Sequence, residues 1–495
     1  MHILQVMKWL KGMGLVGTMV ILILALPVVR AWGYASTCRS SLENCMAAAP
    51  KILNDLKIVR KVVRLSAVDD LVTVLEKAEP FLNHREYLLG EAEPVSYTVL
   101  LLNDQELRTN GGFMGSYAVV DVNKGEYQVR FQDIYVPDGQ VEGYIAPPEP
   151  LQRAFKTGSH RLPNADWSPD FTKSAAAIRW FFDKGGEIEP DVLVTLNLST
   201  VEEIMKVIGP VKVSEYGEEI GPDNFYKWLQ DNTEVDFFPG STQKRDVITA
   251  TGKAVMQKIE SLGLVEKVKI AKLVLNDLEN KNILVNSLNE SVQDLLVKNS
   301  WAGDYFPIPC SGEDCQAITV GVVEMNLGSN KANCCVERIT KHKITSVNGR
   351  LVHLIELELT NTSMYEEAMK PVFYGGNYLS YLRFYLPEEA ENIQVSALPT
   401  ITGDIGIWPK PYQGDNAELD IEQVYGFTEV GLFNTTRAGT TSWVKLIYEV
   451  EDKDKNLQLS ILKQRGLRHS PTEVEILGEE KKTGLGNDYL VLVGR

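Results

Sequence analysis

The chain has little of what most hydrolases and metalloenzymes use. Only six histidines occur in 495 residues. None sits in a cluster with ligand spacing, which excludes a histidine-based metal centre of the usual pattern. No G-x-S-x-G elbow surrounds a serine: Ser116 follows Gly115, but the next small residue is out of place. H-E-x-x-H, the phosphate-binding P-loop and the dinucleotide-binding glycine pattern are absent too. Positive charge is in deficit, with 50 Lys and Arg against 66 Asp and Glu and a net charge of −16. Nucleic acid needs a basic face, so it is excluded as the main partner. Short-period repeats and low-complexity tracts are also missing, which argues against a solenoid. At this length a single core is too small an organisation, and two or three domains are expected.

One long uncharged run is present. Lys8 and Lys11 precede Gly12–Val29, and Arg30 closes it. Eighteen helical residues rise about 27 Å, enough for a bilayer core. The flanking lysines fit a single-pass membrane anchor with its N-terminus in the cytoplasm. A cleaved signal peptide is the alternative, with Ala31 and Ala35 as small residues. The length favours the anchor and so a place at the cell membrane, and either reading places the rest outside the cytoplasm. Six cysteines suit that compartment. Cys310, Cys315, Cys334 and Cys335 cluster in sequence, and two bridges pairing the first two with the last two are expected. A four-thiolate zinc site is the rival, but its hooks are wrongly spaced. Cys38 and Cys45 would stand about 10.5 Å apart on a continuous helix, too far for a bridge.

Residues 40–90 carry an apolar stripe at helical spacing and read as a membrane-proximal helical hairpin. Residues 95–335 mix strands (97–102, 117–122, 127–133, 191–197) with helices (172–183, 200–208, 223–230, and 246–300 broken at Gly263). Asp170 is placed to cap the helix near Lys173. That alternation predicts an α/β domain with a covered sheet. After 336 the helix signals stop. Leu351–Leu359 alternates, and Asn348-Gly349 marks a hairpin. Further strands are expected at 378–386, 427–433, 441–450 and 457–463, giving an Ig-like β-sandwich. The overall class is α+β multidomain: anchor 1–35, helical stalk 36–92, α/β domain 93–335, sandwich 336–480, and a solvated tail 481–495.

Polar residues gather at the expected strand ends. Asn103, Asp104, Glu106 and Arg108 follow the first strand, with Gly111 and Gly112 allowing close backbone approach. Asp133 ends a later strand, and Asp166 and Asp170 frame Trp167-Ser168-Pro169. Lys244, Arg245 and Asp246 open a long helix after the Pro239-Gly240 turn, a place that suits an anion. Carboxylates beside such cations can hold a divalent ion against a phosphate. Trp408 is a candidate for stacking on a sugar, or else a cover for a core edge.

Two resemblances follow from these stretches. NDQELRTNGGFMGSY (103–117), ADWSPDF (165–171), DVLVTLNLSTVEEIMKVIGPVKV (191–213), VEMNLGSNKAN (323–333) and YLRFYLPEEA (381–390) resemble the bacterial domain-of-unknown-function family 4012. The likeness runs from about residue 80 to 465 and names no activity. More distantly, residues 97–262 are similar to the LytR-CpsA-Psr proteins. Those are membrane-anchored α/β enzymes that move glycopolymers from a polyprenyl pyrophosphate carrier to the bacterial cell wall. That resemblance implies a phosphotransferase-like ligase acting on a lipid-linked or phosphorylated envelope glycan or peptidoglycan. It assigns catalysis to Asp104, Arg108, Asp133 and Arg245, with Asp104 and Asp133 on Mg2+. Asn103, Gly111, Gly112, Asp166, Asp170 and Lys244 would bind the ligand. Two departures stand out. The family's Arg-Ser-Asp is replaced around Gly112-Phe113-Met114, and its Pro-Arg-Asp arginine is Gln132. The rival expectation is therefore a non-catalytic surface scaffold or adhesion protein with a degenerate ligase-like domain.

Overall fold

The computed structural model describes residues 50–58, 60, 66–156, 158–235, 241–366, 374–403, 405–406, 408–413, 419–484 and 487–493. The expected anchor, Cys38, Cys45 and the Pro239-Gly240 turn lie outside the described residues. Among those described, no helix is long and apolar enough to cross a membrane. Two compact units form. One holds the described residues up to Ser96 with Val120–Val129 and Gln257–Asn276. The other holds Tyr97–Val119, Arg130–Met256 and Asp277 onward.

In the first unit, helical residues 50–58 pack on α1 (Ser66–Ala78). Ile52, Leu53 and Leu56 meet Val72, with Val68, Leu71 and Leu75 around them. This i, i+3, i+4 spacing is the stripe that made the helical reading possible. Lys57–Glu76 and Arg60–Asp69 bridge the pair at 3.5 and 3.2 Å. Both are solvent-exposed and contribute at most about 1 kcal/mol each.

The α/β sheet has the order β3-β2-β1-β4-β7. Its strands are β1 (Val95–Arg108), β2 (Gly111–Asn123), β3 (Glu126–Asp133), β4 (Val192–Asn197) and β7 (Val285–Ser287). β1 and β4 run parallel, with Leu102 opposite Asn197. The helices are α2 (Glu149–Phe155), α3 (Phe171–Lys184), α4 (Leu198–Ile208), α5 (Phe225–Glu234), α6 (Gln243–Ser261), α7 (Leu264–Glu279) and α8 (Glu290–Lys298). α3 buries Phe171, Ala175, Ile178 and Phe182, the face that a 3.6-residue period puts together. Asp170 caps it through Thr172 N at 2.9 Å. The expected helix over 246–300 is three helices and a strand. β7, three residues long, is too short to show a period.

The largest departure from expectation is at β1. It does not stop at Leu102 but runs to Arg108, so Asn103 to Arg108 are strand residues, not a binding loop. Gly111 and Gly112 open β2 directly. A Cβ on Gly112 would stand 2.1 Å from the Asn103 carbonyl carbon. Gly111 has φ +139°, and its Cβ would meet Asn197 Oδ1 at 2.7 Å. The glycine pair thus lets β2 close on β1 and leaves no cradle for a ligand.

β5 (Val211–Val213) and β6 (Glu218–Ile220) pair by themselves, and the sandwich is built from two six-stranded sheets, β12-β15-β10-β9-β17-β18 and β13-β14-β11-β8-β16-β19, in which β12 is Glu391–Leu398, β13 Asp420–Val424, β15 Thr440–Glu451 and β17 Thr472–Ile476. Strands β9 (Val336–Val347) and β10 (Arg350–Asn361) meet at Asn348-Gly349, both with positive φ, as an Asn-Gly hairpin requires. β8 (Cys315–Asn326) comes before the expected start of the sandwich yet pairs with β11 (Tyr378–Pro387) and β16 (Asn456–Leu462). The charged stretch expected to be a solvated tail forms β18 (Glu479–Thr483), and β19 (Tyr489–Val493) follows it. β14 (Phe427–Thr436) is buried along its whole length. Its sheet is covered on both faces: one by the partner sheet, the other by α/β segments. Leu151 and Ala154 of α2 pack with Met325, Tyr381 and Phe433, and Tyr305 packs with Tyr385 and Phe427. Trp408 is 8% exposed and edge-on to Phe433 at 5.3 Å, so it closes that core and offers no stacking face.

The cysteines pair otherwise than expected. Cys310 bonds Cys315, and Cys334 bonds Cys335. β8 separates the two pairs by 12 residues of strand, about 40 Å at 3.3 Å per residue. Crossed bridges are out of reach.

Two histidines sit on the inner face of the sandwich. His342 Nε2 lies 3.0 Å from His353 Nδ1, and the Tyr448 hydroxyl 2.9 Å from the same nitrogen. Burial pushes His342 down to about 3, and His353 falls well below the ordinary value. A base whose folded value is depressed stabilises the fold fully above its unfolded value near 6.5 and loses that stabilisation as pH falls. Denaturant midpoints should therefore drop between pH 6.5 and 4, and His353→Gln should show a shallower drop. Equal slopes for both proteins would refute this. Gly112→Ala, by overpacking, should cost at least about 1–3 kcal/mol in the same measurement.

Candidate functional site

The β1 end supplies a closed charge network. Arg108 and Glu106 lie two apart on β1 and so share a face. Arg108 Nη2 donates to Glu106 Oε1 at 3.0 Å, and Lys331 Nζ donates to Oε2 at 3.2 Å. Arg108 Nη1 also donates to the Asn326 carbonyl at the end of β8. The guanidinium lies 5.2 Å over the Phe113 ring and is 2% exposed. Asn333 Oδ1 accepts from Leu107 N at 3.0 Å. Arg108 is therefore a joint between the α/β sheet and the sandwich, and its donors point at protein groups.

Asp166 belongs to the same junction. Arg383 of β11 donates to Trp167 O at 3.0 Å and Thr109 Oγ1 at 2.7 Å, and stacks 4.3 Å over the Trp167 ring. Asn110 Nδ2 donates to Asp166 O and Ser168 O. Burial raises the Asp166 carboxyl to about 6, against the pull of Arg108 and Asn110.

Asp104 faces another way. It accepts from the Ser199 hydroxyl. Arg468 donates to Ser199 Oγ at 2.9 Å and to Asp277 Oδ2 at 2.7 Å. Burial pushes the Asp104 carboxyl up, while the Ser199 bond and Arg468 pull it back. Its neighbour Glu202 is raised to about 6 by burial and then by Asp104. Asn103 Oδ1 accepts from Gln105 N at 3.1 Å.

A third group gathers where β3 ends. Asp133 Oδ1 accepts from Tyr135 N at 3.0 Å, and Lys244 Nζ stands 4.0 Å from the same oxygen. Lys244 lies 5.5 Å over the Tyr135 ring. Gly115 leaves the room it needs, since a Cβ there would sit 3.2 Å from Nζ. Tyr135 is 43% exposed, and Val136 beside it is also exposed. Its hydroxyl feels the buried acids nearby. Burial raises it to about 12, with Glu106, Asp133 and Glu234 adding to the shift and Arg108 opposing it. Asp133 and Lys244 thus touch Tyr135, while Arg108 acts on it only electrostatically. Arg245 is not among them: it is partly exposed and pairs with Asp246 at 3.0 Å. One helical step turns a side chain by about 100°. Lys244 shares the buried face of α6 with Val247 and Thr251, and Arg245 does not.

Asp104 and Asp133 are thus held by different partners. No group of three or more His, Cys, Asp or Glu is arranged to hold a metal among the described residues. Asp170 is used as a helix cap, and Gly111 and Gly112 as hairpin glycines. Tyr135, Lys331, Arg383 and Arg468 were not singled out from sequence. Lys331 lay within the VEMNLGSNKAN stretch, but Arg468 lies 191 positions from its partner Asp277, and no local pattern links them.

Residues 92–233 match the model of a protein family of unknown function, DUF4012, in agreement with the first resemblance. No curated protein matches. Several solved structures overlap with part of the chain. The transcriptional regulator yvhJ from Bacillus subtilis is 14% identical; the overlap covers 42% of this chain and 76% of that one, at a TM-score of 0.26. TagV from B. subtilis is 11% identical, covering 45% and 86%, at 0.26. A transcriptional regulator from Enterococcus faecalis is 9% identical, covering 43% and 74%, at 0.26. Overlaps this slight carry nothing about activity.

Removing the Arg108 charge would leave Glu106 with Lys331 alone in a buried place. Arg108→Met is expected to cost about 3–5 kcal/mol in denaturant unfolding, as for a broken buried ion pair. A change within about 0.5 kcal/mol would show that the network does not join the two layers.

Proposed function

We propose that this is a cell-envelope protein that binds an envelope glycan without transferring it. One observation carries the reading. Arg108, the guanidinium that pyrophosphate transfer would need on β1, is 2% exposed and committed to Glu106 and Asn326. An arginine buried as an internal joint, with both Nη atoms given to protein groups, does not present the fork geometry that phosphate takes. The Tyr135 face suits a sugar better. A half-exposed ring offers an apolar plane, and the buried Asp133–Lys244 pair beside it holds the turn that carries it. The Lys8 and Lys11 flank of the apolar N-terminal run supports a single-pass anchor with the rest outside the cytoplasm. The two disulfides support the same compartment.

The test uses the full chain in detergent. Calorimetric titration with a short-chain polyprenyl pyrophosphate, with and without magnesium, is expected to give no metal-dependent binding. Sedimentation with purified glycopolymer-bearing peptidoglycan is expected to retain the protein, with about a tenfold affinity loss in Tyr135→Ala, or about 1.4 kcal/mol. Magnesium-dependent pyrophosphate binding abolished by Lys244→Ala would overturn the reading in favour of transfer.

A further inference from the structure

The turn that docks the sandwich on β1 contains the Cys334–Cys335 bond. Ala332–Cys334 is one turn of 3-10 helix, with Cys335 N donating to Ala332 O at 3.0 Å and Cys334 N to Lys331 O at 3.3 Å. Thr362 holds its far end, giving both its N–H (2.7 Å) and its hydroxyl (2.9 Å) to Cys335 O. Between these fixed points the turn presents two side chains to the α/β sheet. Lys331 neutralises Glu106, and Asn333 Oδ1 accepts from Leu107 N as well as from Asn326 Nδ2 at 3.0 Å. A bond between neighbouring cysteines closes a small ring around their own peptide unit, so it fixes the backbone of the turn itself. The cysteines are partly exposed, while Lys331 and Glu106 are buried. Solvent therefore reaches the bond without reaching the ion pairs that depend on the turn.

We propose that Cys334–Cys335 is a reducible latch on the joint between the α/β sheet and the sandwich. A dithiol reductant supplies two electrons and two protons. The S–S bond breaks, two S–H bonds form, and the reductant closes to its own disulfide. The turn then gains freedom, and Asn333 loses its hold on the Leu107 amide. Cys310–Cys315 lies at the opposite end of β8 and touches none of these groups, so it serves as the internal control.

Hydrogen exchange on the full chain tests this, after peptide mapping without reductant. The latch predicts a Cys334–Cys335 bond in the oxidised protein. It also predicts at least tenfold faster exchange at Leu107 on dithiol treatment, and the same in Cys334→Ser/Cys335→Ser. The sandwich strands β10 and β15 (Thr440–Glu451) should exchange as before, and Cys310→Ser/Cys315→Ser should leave Leu107 unchanged. Free thiols at 334 and 335 in the oxidised protein would overturn the proposal. So would unchanged Leu107 exchange, or acceleration spread evenly over the chain.

Discussion

The Glu106 carboxylate is the group on which the middle of this structure depends. It is buried at the end of β1, where an unpaired charge is expensive. Arg108 reaches it from the same strand, and Lys331 reaches it from the sandwich. Neither cation alone uses both oxygens. The strand must therefore run straight to Arg108, and the loop after β8 must come back to β1. The glycine pair that opens β2, the Asn333 contact with Leu107 and the burial of β14 all follow from that approach.

The same constraint governs the other buried arginines. A phosphate site needs arginines whose donors face solvent or ligand. Here the β1 arginine faces protein. Arg383 and Arg465 are likewise spent inside, on Trp167 O and Thr109 in one case and on Gly303 O and Asp304 O in the other. Three buried guanidiniums fasten one layer to the next. A partly open place around Tyr135 carries an aromatic face beside a buried lysine and carboxylate.

Burial also divides the carboxylates into two kinds. Asp104, Asp166 and Glu202 are raised because water has been removed around them. Asp133 and Asp170 are tied to backbone amides that follow them, Tyr135 N and Thr172 N. Neither kind forms the close group that a metal requires. These acids are explained by folding before any chemistry is asked of them.

The sequence by itself determined the elements with a clear period or a local signal. The α3 face, the Asp170 cap, the Asn348-Gly349 hairpin and the alternating sandwich strands are written in spacings of two to four residues. It also put Asp133 and Lys244 in one set of polar residues, and the structure brings them to 4.0 Å. Tertiary structure alone decided what those residues do. Whether β1 stops at Leu102 or runs to Arg108 depends on Lys331, more than 200 positions away. Whether Lys244 or Arg245 faces Asp133 depends on the rotation of α6, fixed by packing of Val247 and Thr251. The cysteine pairing depended on the length of β8, because a strand is a rigid spacer that a list of spacings does not display. Charges in a polar, glycine-rich stretch read alike in sequence whether they await a ligand or join two layers. Only the partner's position distinguishes the two.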